Sequence, residues 1–317
     1  MCLVSVWIIT YNHELFIAEA IESALAQKTK FDFKIIIGED CSTDRTREIV
    51  KKYKEEYPDK IELYLPEKNI GMMELIRATY SLCKGKYVAS FDGDDYLTDP
   101  YKLQKQVDFL ESNPDFVLHF HRVKIVNELK GYTISSGEAF SRNPDNSLDV
   151  DHFLEGTNPI FTSSVMYRNV LGESLPDWYY ELPYPDYSFY FLLLQYGKSQ
   201  YSQEVMSAYR IHKGGVWSGN AYKNQYLNMI ELYSQLQVHL PYLNRKKVAQ
   251  SKAYYHYLLL IIFIKEGSIS GMKKHLRAIA VIDPSSLSKF WKAIVSVSFS
   301  KFILKKSFED IDPNESL

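Results

Sequence analysis

The sequence predicts an α/β fold, in which a parallel sheet carries helices on both faces and is followed by a C-terminal helical region. Apolar runs suited to buried strands alternate with helical spacing over the first part of the 317 residues. From about residue 221 this alternation ends and only helical patterns remain. With a formal net charge of −2, the chain is long enough for one large domain or two smaller ones.

Strand and helix patterns alternate regularly up to about residue 112. Near-continuous apolar runs predict buried strands at 3–9, 33–38, 61–65 and 86–91. Helical spacing predicts helices at about 14–27, 45–57, 73–83 and 100–112. Asp99 and Pro100 suit the N-cap and the first residue of the last of these helices.

The pattern is less regular beyond residue 115. Strands are predicted at 116–126, 158–167 and 204–211, short helices at 151–154 and 188–196, and a long polar excursion at 127–144. Four helices follow at 222–240, 247–264, 272–282 and 287–302. The expected division is therefore a domain at 1–220 and a helical C-terminal region at 221–317.

Polar residues follow three of the predicted strands. Right-handed crossovers bring the C-terminal ends of parallel strands to one edge of the sheet, and ligands bind at this edge in open α/β folds. Tyr11–Asn12, Glu39–Asp40 and Asp92–Asp95 all fall there. Their convergence favours a binding site over an isolated acidic turn.

The acidic cluster at 92–95 holds three carboxylates, from Asp92, Asp94 and Asp95. Crowded carboxylates repel one another unless a cation relieves them. The cluster therefore predicts a divalent metal with hard oxygen ligands, phosphates among them. Taken alone, it also fits a surface turn, because Asp and Gly are ordinary turn residues.

Composition excludes several classes of protein. The near-neutral charge gives no reason to expect a nucleic-acid partner. Cys2, Cys41 and Cys83 form neither a disulfide framework nor a metal-ligand spacing, which favours a reducing cytosol. The N-terminus is predicted to be a strand and not a signal peptide, and the longest apolar run, 257–264, is too short for a membrane span.

The C-terminal segment from Gly267 to Ser307 is basic, with eight Lys or Arg residues against one Asp. This mixture of basic and apolar residues suits an amphipathic segment lying on an anionic membrane surface. A helical hairpin that packs on the α/β domain or on a partner explains it equally well. The sequence also leaves open whether the chain forms a homo-oligomer.

Four motifs in order resemble the family 2 glycosyltransferases of the GT-A fold, inverting nucleotide-sugar enzymes of bacterial surface polysaccharides. Residues 4–12 are similar to the opening strand, 35–46 to the nucleotide-binding stretch, 85–96 to the D-x-D metal motif and 209–218 to the closing motif. The resemblance implies a GT-A-like (Rossmann-like), mixed, mainly parallel sheet. It also implies a nucleotide-sugar half at about 1–115 and an acceptor half at about 116–220.

The resemblance implies roles for five residues on the donor side. Thr10 and Tyr11 line the base pocket, and Asp40 contacts the nucleobase. Asp92 contacts the ribose or the water shell of the metal. Asp94 ligates the cation, Mg²⁺ or Mn²⁺, that bridges the diphosphate of the nucleotide-sugar donor. Asp95 is expected to be structural.

Two further roles come from the resemblance. His212 approaches the metal or the diphosphate from the opposite wall, with a buried, hydrogen-bonded loop histidine as the alternative. Asp186 matches the catalytic base, with a helix N-cap as the alternative. The sequence departs from the family at Pro185, where an acidic residue is usual, and at Glu39, where Asp is commoner.

The implied reaction moves a sugar from a nucleotide-diphosphate sugar to a hydroxyl of a glycan or lipid-linked acceptor. The nucleotide is UDP by family habit, with GDP and dTDP as alternatives. It would serve cell-surface polysaccharide synthesis in the cytoplasm or at the inner face of the cytoplasmic membrane. A sugar nucleotidyltransferase is one alternative, but it would carry a glycine-rich phosphate loop where this chain has residues 10–14. A non-catalytic sugar-binding homologue is the other, and Pro185 is its only support.

Overall fold

The computed structural model describes residues 2–136, 146–155, 158, 160–214 and 222–287. The chain forms two compact units, Met1–Asn220 and Ala221–Leu317. The predicted helix at 287–302 lies, apart from its first residue, outside the described residues, as does the 215–218 end of the closing motif.

A mixed sheet of ten strands organises the described part of the first unit. The strands are β1 (Val4–Thr10), β2 (Phe33–Glu39), β3 (Ile61–Tyr64), β4 (Tyr87–Asp92), β5 (Tyr96–Leu97), β6 (Phe116–Asn127), β7 (Tyr132–Ser135), β8 (Ser147–Leu148), β9 (Met166–Arg168) and β10 (Lys198–Ile211). Their order is β3-β2-β1-β4-β9-β6-β10-β5, with β7 beside β6 and β8 beside β10.

The sheet is mainly parallel. Strands β1 to β4 run parallel to one another, and β10 runs parallel to β6. Strand β9 lies antiparallel between β4 and β6. Strands β5, β7 and β8 add further antiparallel pairs. The predicted fold class is therefore confirmed.

Helices join the strands of the first unit and make up the described part of the second. In the first unit they are α1 (Ile17–Leu25), α2 (Thr46–Glu56), α3 (Met72–Tyr80), α4 (Lys102–Ser112), α5 (Val150–Leu154) and α6 (Pro185–Leu193). In the second they are α7 (Tyr222–His239), α8 (Arg245–Glu266) and α9 (Ile269–Ile282). Within the described residues, none of these helices has the length and apolar character needed to cross a membrane.

The main core lies on the parallel strands β1, β2 and β4. Val6, Ile8 and Ile37 are fully buried there and pack with Ile21 of α1 and Leu103 of α4. Helices cover both faces of parallel strands, so successive side chains are apolar rather than alternating. For this reason, continuous apolar runs in the sequence predicted these strands.

Two local predictions differ from the structure, because strand pairing and a turn at Asp99 prevail over the local composition. The first part of the polar excursion at 127–144 is a hairpin, in which β7 pairs antiparallel with the end of β6. Helix α4 begins at Lys102, two residues later than expected. The Asp99 carboxylate accepts a hydrogen bond from the main-chain nitrogen of Tyr101 at 2.8 Å, which holds that segment as a turn.

The predicted strand at 158–167 was also wrong over most of its length. A 3₁₀ turn covers Thr162–Ser164, and only the short β9 follows it. The hydroxyl of Ser164 donates to the carbonyl of Phe161 at 2.7 Å, and the side-chain amide of Gln106 donates to the carbonyl of Ser164 at 2.9 Å. These bonds satisfy the polar groups outside a strand ladder.

Gly85 leaves no room for a side chain where β4 begins beside β1. A Cβ atom there would lie 2.5 Å from the main-chain nitrogen of Ser5 and 2.8 Å from the carbonyl oxygen of Tyr87. Gly85→Ala is therefore expected to lower the free energy of unfolding by about 1–3 kcal/mol, measured by denaturant unfolding. Lys51→Ala, at an exposed position of α2, is the control. Equal stability of the two variants would contradict this account.

Candidate active site

The segments that follow β1, β2 and β4 meet at one edge of the sheet. Strand β1 lies between the other two, with Thr10 opposite Glu39 and Ile9 opposite Asp92. Beyond the strands, the main-chain nitrogen of Asp40 donates to the carbonyl of Thr10 at 3.1 Å. The three polar clusters that the sequence placed on one edge are thus adjacent in the structure.

The carboxylate of Asp94 lies between two imidazoles. Nε2 of His212 is 2.9 Å from Oδ2 of Asp94, and Nε2 of His13 is 3.8 Å from the same oxygen. One ligand atom from each of the three residues lies within 4.8 Å of the others. One carboxylate oxygen with two imidazole nitrogens is a donor set that suits a divalent transition-metal ion.

His13 is the site residue that the sequence analysis missed. It stands three residues after the end of β1, on the ligand edge, and this position is the signal that could have found it. Its Nδ1 lies 3.1 Å from the hydroxyl of Thr10, and its main-chain nitrogen donates to the hydroxyl of Thr46 at 2.8 Å. These contacts direct Nε2 toward Asp94. Burial lowers the pKa of His13, which favours the neutral, metal-binding imidazole.

The histidines decide the charge of Asp94. Burial alone would raise the pKa of Asp94, but the hydrogen bond from His212 and the charges of His13 and His212 bring it below its usual value. The causes that shift the pKa of Asp92 include no hydrogen bond or positive charge that would lower it. Burial raises the pKa of Asp92 to about 8, and the charges of Asp94 and Asp186 contribute. A bound cation would relieve this repulsion.

The side chain of Asp95 is directed toward β10, the strand of the closing motif, and not toward the ligand edge. It is 1% exposed, and its Oδ1 accepts a hydrogen bond from the main-chain nitrogen of Arg210 at 3.0 Å. Burial, followed by the charges of Asp94 and Asp92, raises the pKa of Asp95 well above its usual value. Its hydrogen bond joins the turn after β4 to β10.

Thr10 and Tyr11, which were predicted to line the base pocket beside Asp40, differ in how exposed their side chains are. Tyr11 is 42% exposed at the ligand edge, whereas Thr10 is buried and its hydroxyl contacts His13. The D-x-D turn approaches Thr10 closely because Gly93 has no side chain: a Cβ atom there would lie 2.5 Å from the Thr10 hydroxyl. The structure thus gives Thr10 a contact inside the site, and its contact with a base stays a prediction.

Asp40 holds the segment that precedes α3. Its Oδ1 accepts from the main-chain nitrogen of Ile70, and its Oδ2 accepts from that of Gly71, both at 2.8 Å. The side-chain amide of Asn69 donates to the carbonyl of Asp40 at 2.9 Å. The carboxylate therefore has an internal structural role beside the predicted contact with a nucleobase.

Glu39, where the family more often has Asp, is fully buried and paired. Its Oε2 forms an ion pair with Arg47, and its Oε1 accepts from the main-chain nitrogen of Ser42 at 2.5 Å. The longer side chain thus has partners for both oxygens.

Asp186 lies in the first turn of α6. The N-cap of this helix is Tyr184, without a side-chain capping bond, so the N-cap alternative for Asp186 was wrong. The side-chain amide of Asn158 donates to Oδ2 of Asp186 at 3.2 Å. Burial raises the pKa of Asp186, although main-chain hydrogen bonds from Tyr187 and from Asp186 itself oppose the rise. Its charge in turn raises the pKa of Asp92, so the two carboxyls lie near enough to interact.

Asp40→Asn is expected to lower the free energy of unfolding by about 1–3 kcal/mol, because an amide has one acceptor oxygen and its NH₂ group would face a main-chain N–H. The measurement is denaturant unfolding, with the exposed substitution Asp59→Asn as control. A variant of normal stability that binds nucleotide weakly would show instead that Asp40 serves only the base.

Comparison with known sequences gives the family. A sequence model described as Glycosyl transferase family 2 matches residues 5–173. An uncharacterized protein of Mycobacterium tuberculosis is 34% identical over 216 residues, which are 66% of this chain and 59% of the relative. An uncharacterized glycosyltransferase of Nostoc is 31% identical over 215 residues, which are 66% of this chain and 65% of the relative. The matched segment is thus less than two thirds of each relative.

Solved structures show the same fold. TarS 1-349 of S. aureus, in complex with UDP-GlcNAc, superposes with a TM-score of 0.65 at 19% identity, over 98% of this chain and 94% of that one. The mannosyltransferase PcManGT of Pyrobaculum calidifontis, in complex with GDP-Man and Mn²⁺, gives a TM-score of 0.53 at 13% identity, over 96% and 88%. The family match covers more than half of the chain, and it agrees with the motifs and the sheet. The chain belongs to glycosyl transferase family 2, as its four motifs predicted.

Proposed function

We propose that this chain transfers a sugar from a nucleotide-diphosphate sugar to a hydroxyl group, with inversion at the anomeric carbon. One observation carries the proposal: Asp94 lies beside two imidazoles, and both Asp94 and Asp186 lie near enough to Asp92 for their charges to raise its pKa. The family supports transfer chemistry. The nucleotide sugars named in the complexes of TarS and PcManGT support this donor class, and we take UDP as the carrier.

The residues present fit a divalent cation. Asp94, His212 and His13 would hold it, and Asp92 would face the ribose or the water shell of the ion. When bound, the cation would offset the negative charge that develops on the leaving diphosphate. Two imidazole ligands favour Mn²⁺ over Mg²⁺, because Mg²⁺ prefers an all-oxygen shell. The Mn²⁺ in the PcManGT complex agrees with this preference.

Asp186 is our candidate for the general base. The acceptor hydroxyl must lose a proton as it attacks, and a carboxylate with a raised pKa takes a proton more readily near neutral pH. Asn158 donates to one oxygen of Asp186 and so fixes the orientation of the carboxyl. A single displacement assisted in this way inverts the anomeric centre without a covalent intermediate.

The acceptor in this proposal is a glycan or lipid-linked hydroxyl at the inner face of the cytoplasmic membrane. Lys273, Lys274 and Arg277 are exposed on α9, and they support contact with an anionic surface. Cys2, Cys41 and Cys83 are all free, in keeping with a reducing compartment. Removal of residues after 266 should reduce the membrane-bound fraction of the protein if this part of the proposal is right.

The general test is a panel of nucleotide sugars, each incubated with the full chain and Mn²⁺. Release of a nucleoside diphosphate with one donor is the expected result. A parallel incubation with nucleoside triphosphates and sugar 1-phosphates tests the alternative, because pyrophosphate release from these substrates would favour a sugar nucleotidyltransferase. If no product is released with any donor and acceptor tried, the result would favour a non-catalytic homologue.

Asp186→Asn is expected to lower the transfer rate by about 10²–10⁴-fold, because the amide cannot accept the proton of the acceptor. Binding of Mn²⁺ and of the donor should stay as in the wild type, measured by titration. Asp177→Asn, which removes an exposed carboxylate from a neighbouring 3₁₀ turn, is the matched control. Normal turnover by the Asp186 variant would exclude it as the base.

His13→Ala is expected to weaken Mn²⁺ binding about tenfold or more, since it removes one of three ligands. Electron paramagnetic resonance of free Mn²⁺ measures the dissociation constant directly. The control is His239→Ala, which removes an imidazole from α7. Unchanged Mn²⁺ affinity in the His13 variant would leave Asp94 and His212 as the only protein ligands.

A further inference from the structure

We propose that Arg210 is a positioning residue, which holds the main chain of Asp94 and the ring of His212 in the geometry that binds the cation. The inference rests on the proposed function and deepens it. Arg210 belongs to β10 and is 8% exposed. It stands two residues before His212 and contacts the acidic turn that follows β4.

Arg210 reaches the acidic turn with both its side chain and its main chain. Its Nη1 donates to the carbonyl oxygen of Asp94 at 2.6 Å. Its main-chain nitrogen donates to Oδ1 of Asp95 at 3.0 Å. A hydrogen bond to the carbonyl of Asp94 orients that peptide and limits the directions its side chain can take. One residue of β10 therefore determines where the Asp94 carboxylate lies.

The same guanidinium helps to orient His212 through an aromatic ring. It lies over the ring of Phe16 at 5.1 Å and over the ring of Tyr96 at 4.5 Å. The ring of Phe16 in turn lies 4.7 Å from the ring of His212. Phe16 thus contacts both Arg210 and His212, so displacement of the guanidinium would move the surface against which His212 packs.

The charge of Arg210 is offset locally. Glu19 forms a hydrogen-bonded ion pair with its Nη2, and Glu128 lies 3.6 Å from its Nε. An unpaired guanidinium this close to Asp94 would repel a divalent cation. With two carboxylates beside it, Arg210 provides hydrogen bonds to the site without opposing a cation.

The test compares Arg210→Met and Arg210→Lys in the full chain. Met keeps the apolar stem, and Lys keeps the charge, but neither can bond Asp94 and both glutamates in the manner of a planar guanidinium. We expect Arg210→Met to raise the dissociation constant of Mn²⁺ about tenfold. We expect a matching rise in KM for the donor with a smaller change in kcat, since Asp186 is untouched. Arg210→Lys should recover part of the loss.

Arg168→Met is the matched control, because Arg168 is half-buried and, like Arg210, bonded to main-chain carbonyl oxygens, yet it lies on β9 away from the acidic turn. It should lower Tm without changing Mn²⁺ affinity. If Arg210→Met folds poorly, Arg210→Lys decides the question: wild-type Mn²⁺ affinity and donor KM in that variant would overturn the inference. A wild-type chain that binds no Mn²⁺ would instead contradict the proposed function on which the inference rests.

Discussion

Repulsion among the buried carboxylates after β4 is the constraint on which the rest of the site depends. Asp92, Asp94 and Asp95 lie within four residues, and burial penalises the charged form of each. Of the three carboxyls, only Asp94 has a pKa below its usual value, and the pKa of Asp95 lies well above it. Asp95 bonds to β10, and Asp94 stays ionised beside two imidazoles. Asp92 keeps a raised pKa, and this is where a cation would contribute most.

The sheet order explains how distant parts of the chain relieve that repulsion. Strand β1 lies beside β4, so His13 reaches Asp94 from the adjacent loop. Strand β5 follows the acidic turn directly, and β10 pairs with it. This pairing brings Arg210 and the following His212 to Asp94, which lies 118 residues before His212 in the sequence. Gly93 lets the turn lie against Thr10, where any larger residue would collide. The cluster of Asp94, His13 and His212 is thus formed by segments that follow β4, β1 and β10.

Much of the fold was predictable because its strands are buried on both faces. Continuous apolar runs identify β1, β2 and β4, and the alternation with helices places their ends on one edge. The part of the first unit after about residue 116 was less predictable. The segment before β9 has the composition of a strand, but Gln106 and Ser164 bond its carbonyls in a turn. The bond from Gln106 comes from 58 residues earlier in the chain, and no local pattern predicts it.

The sequence by itself determined the fold class, the family and the two carboxylates of the D-x-D motif, because periodicity and motif spacing are local properties. Tertiary structure decided which groups meet. It brought His13 close to Asp94. It also formed the hydrogen bonds from the main-chain nitrogens of Ile70 and Gly71 to the carboxylate of Asp40, and the bond from Arg210 to the carbonyl oxygen of Asp94. These contacts depend on strand order and on the directions of side chains across the sheet. A linear sequence specifies them only through folding.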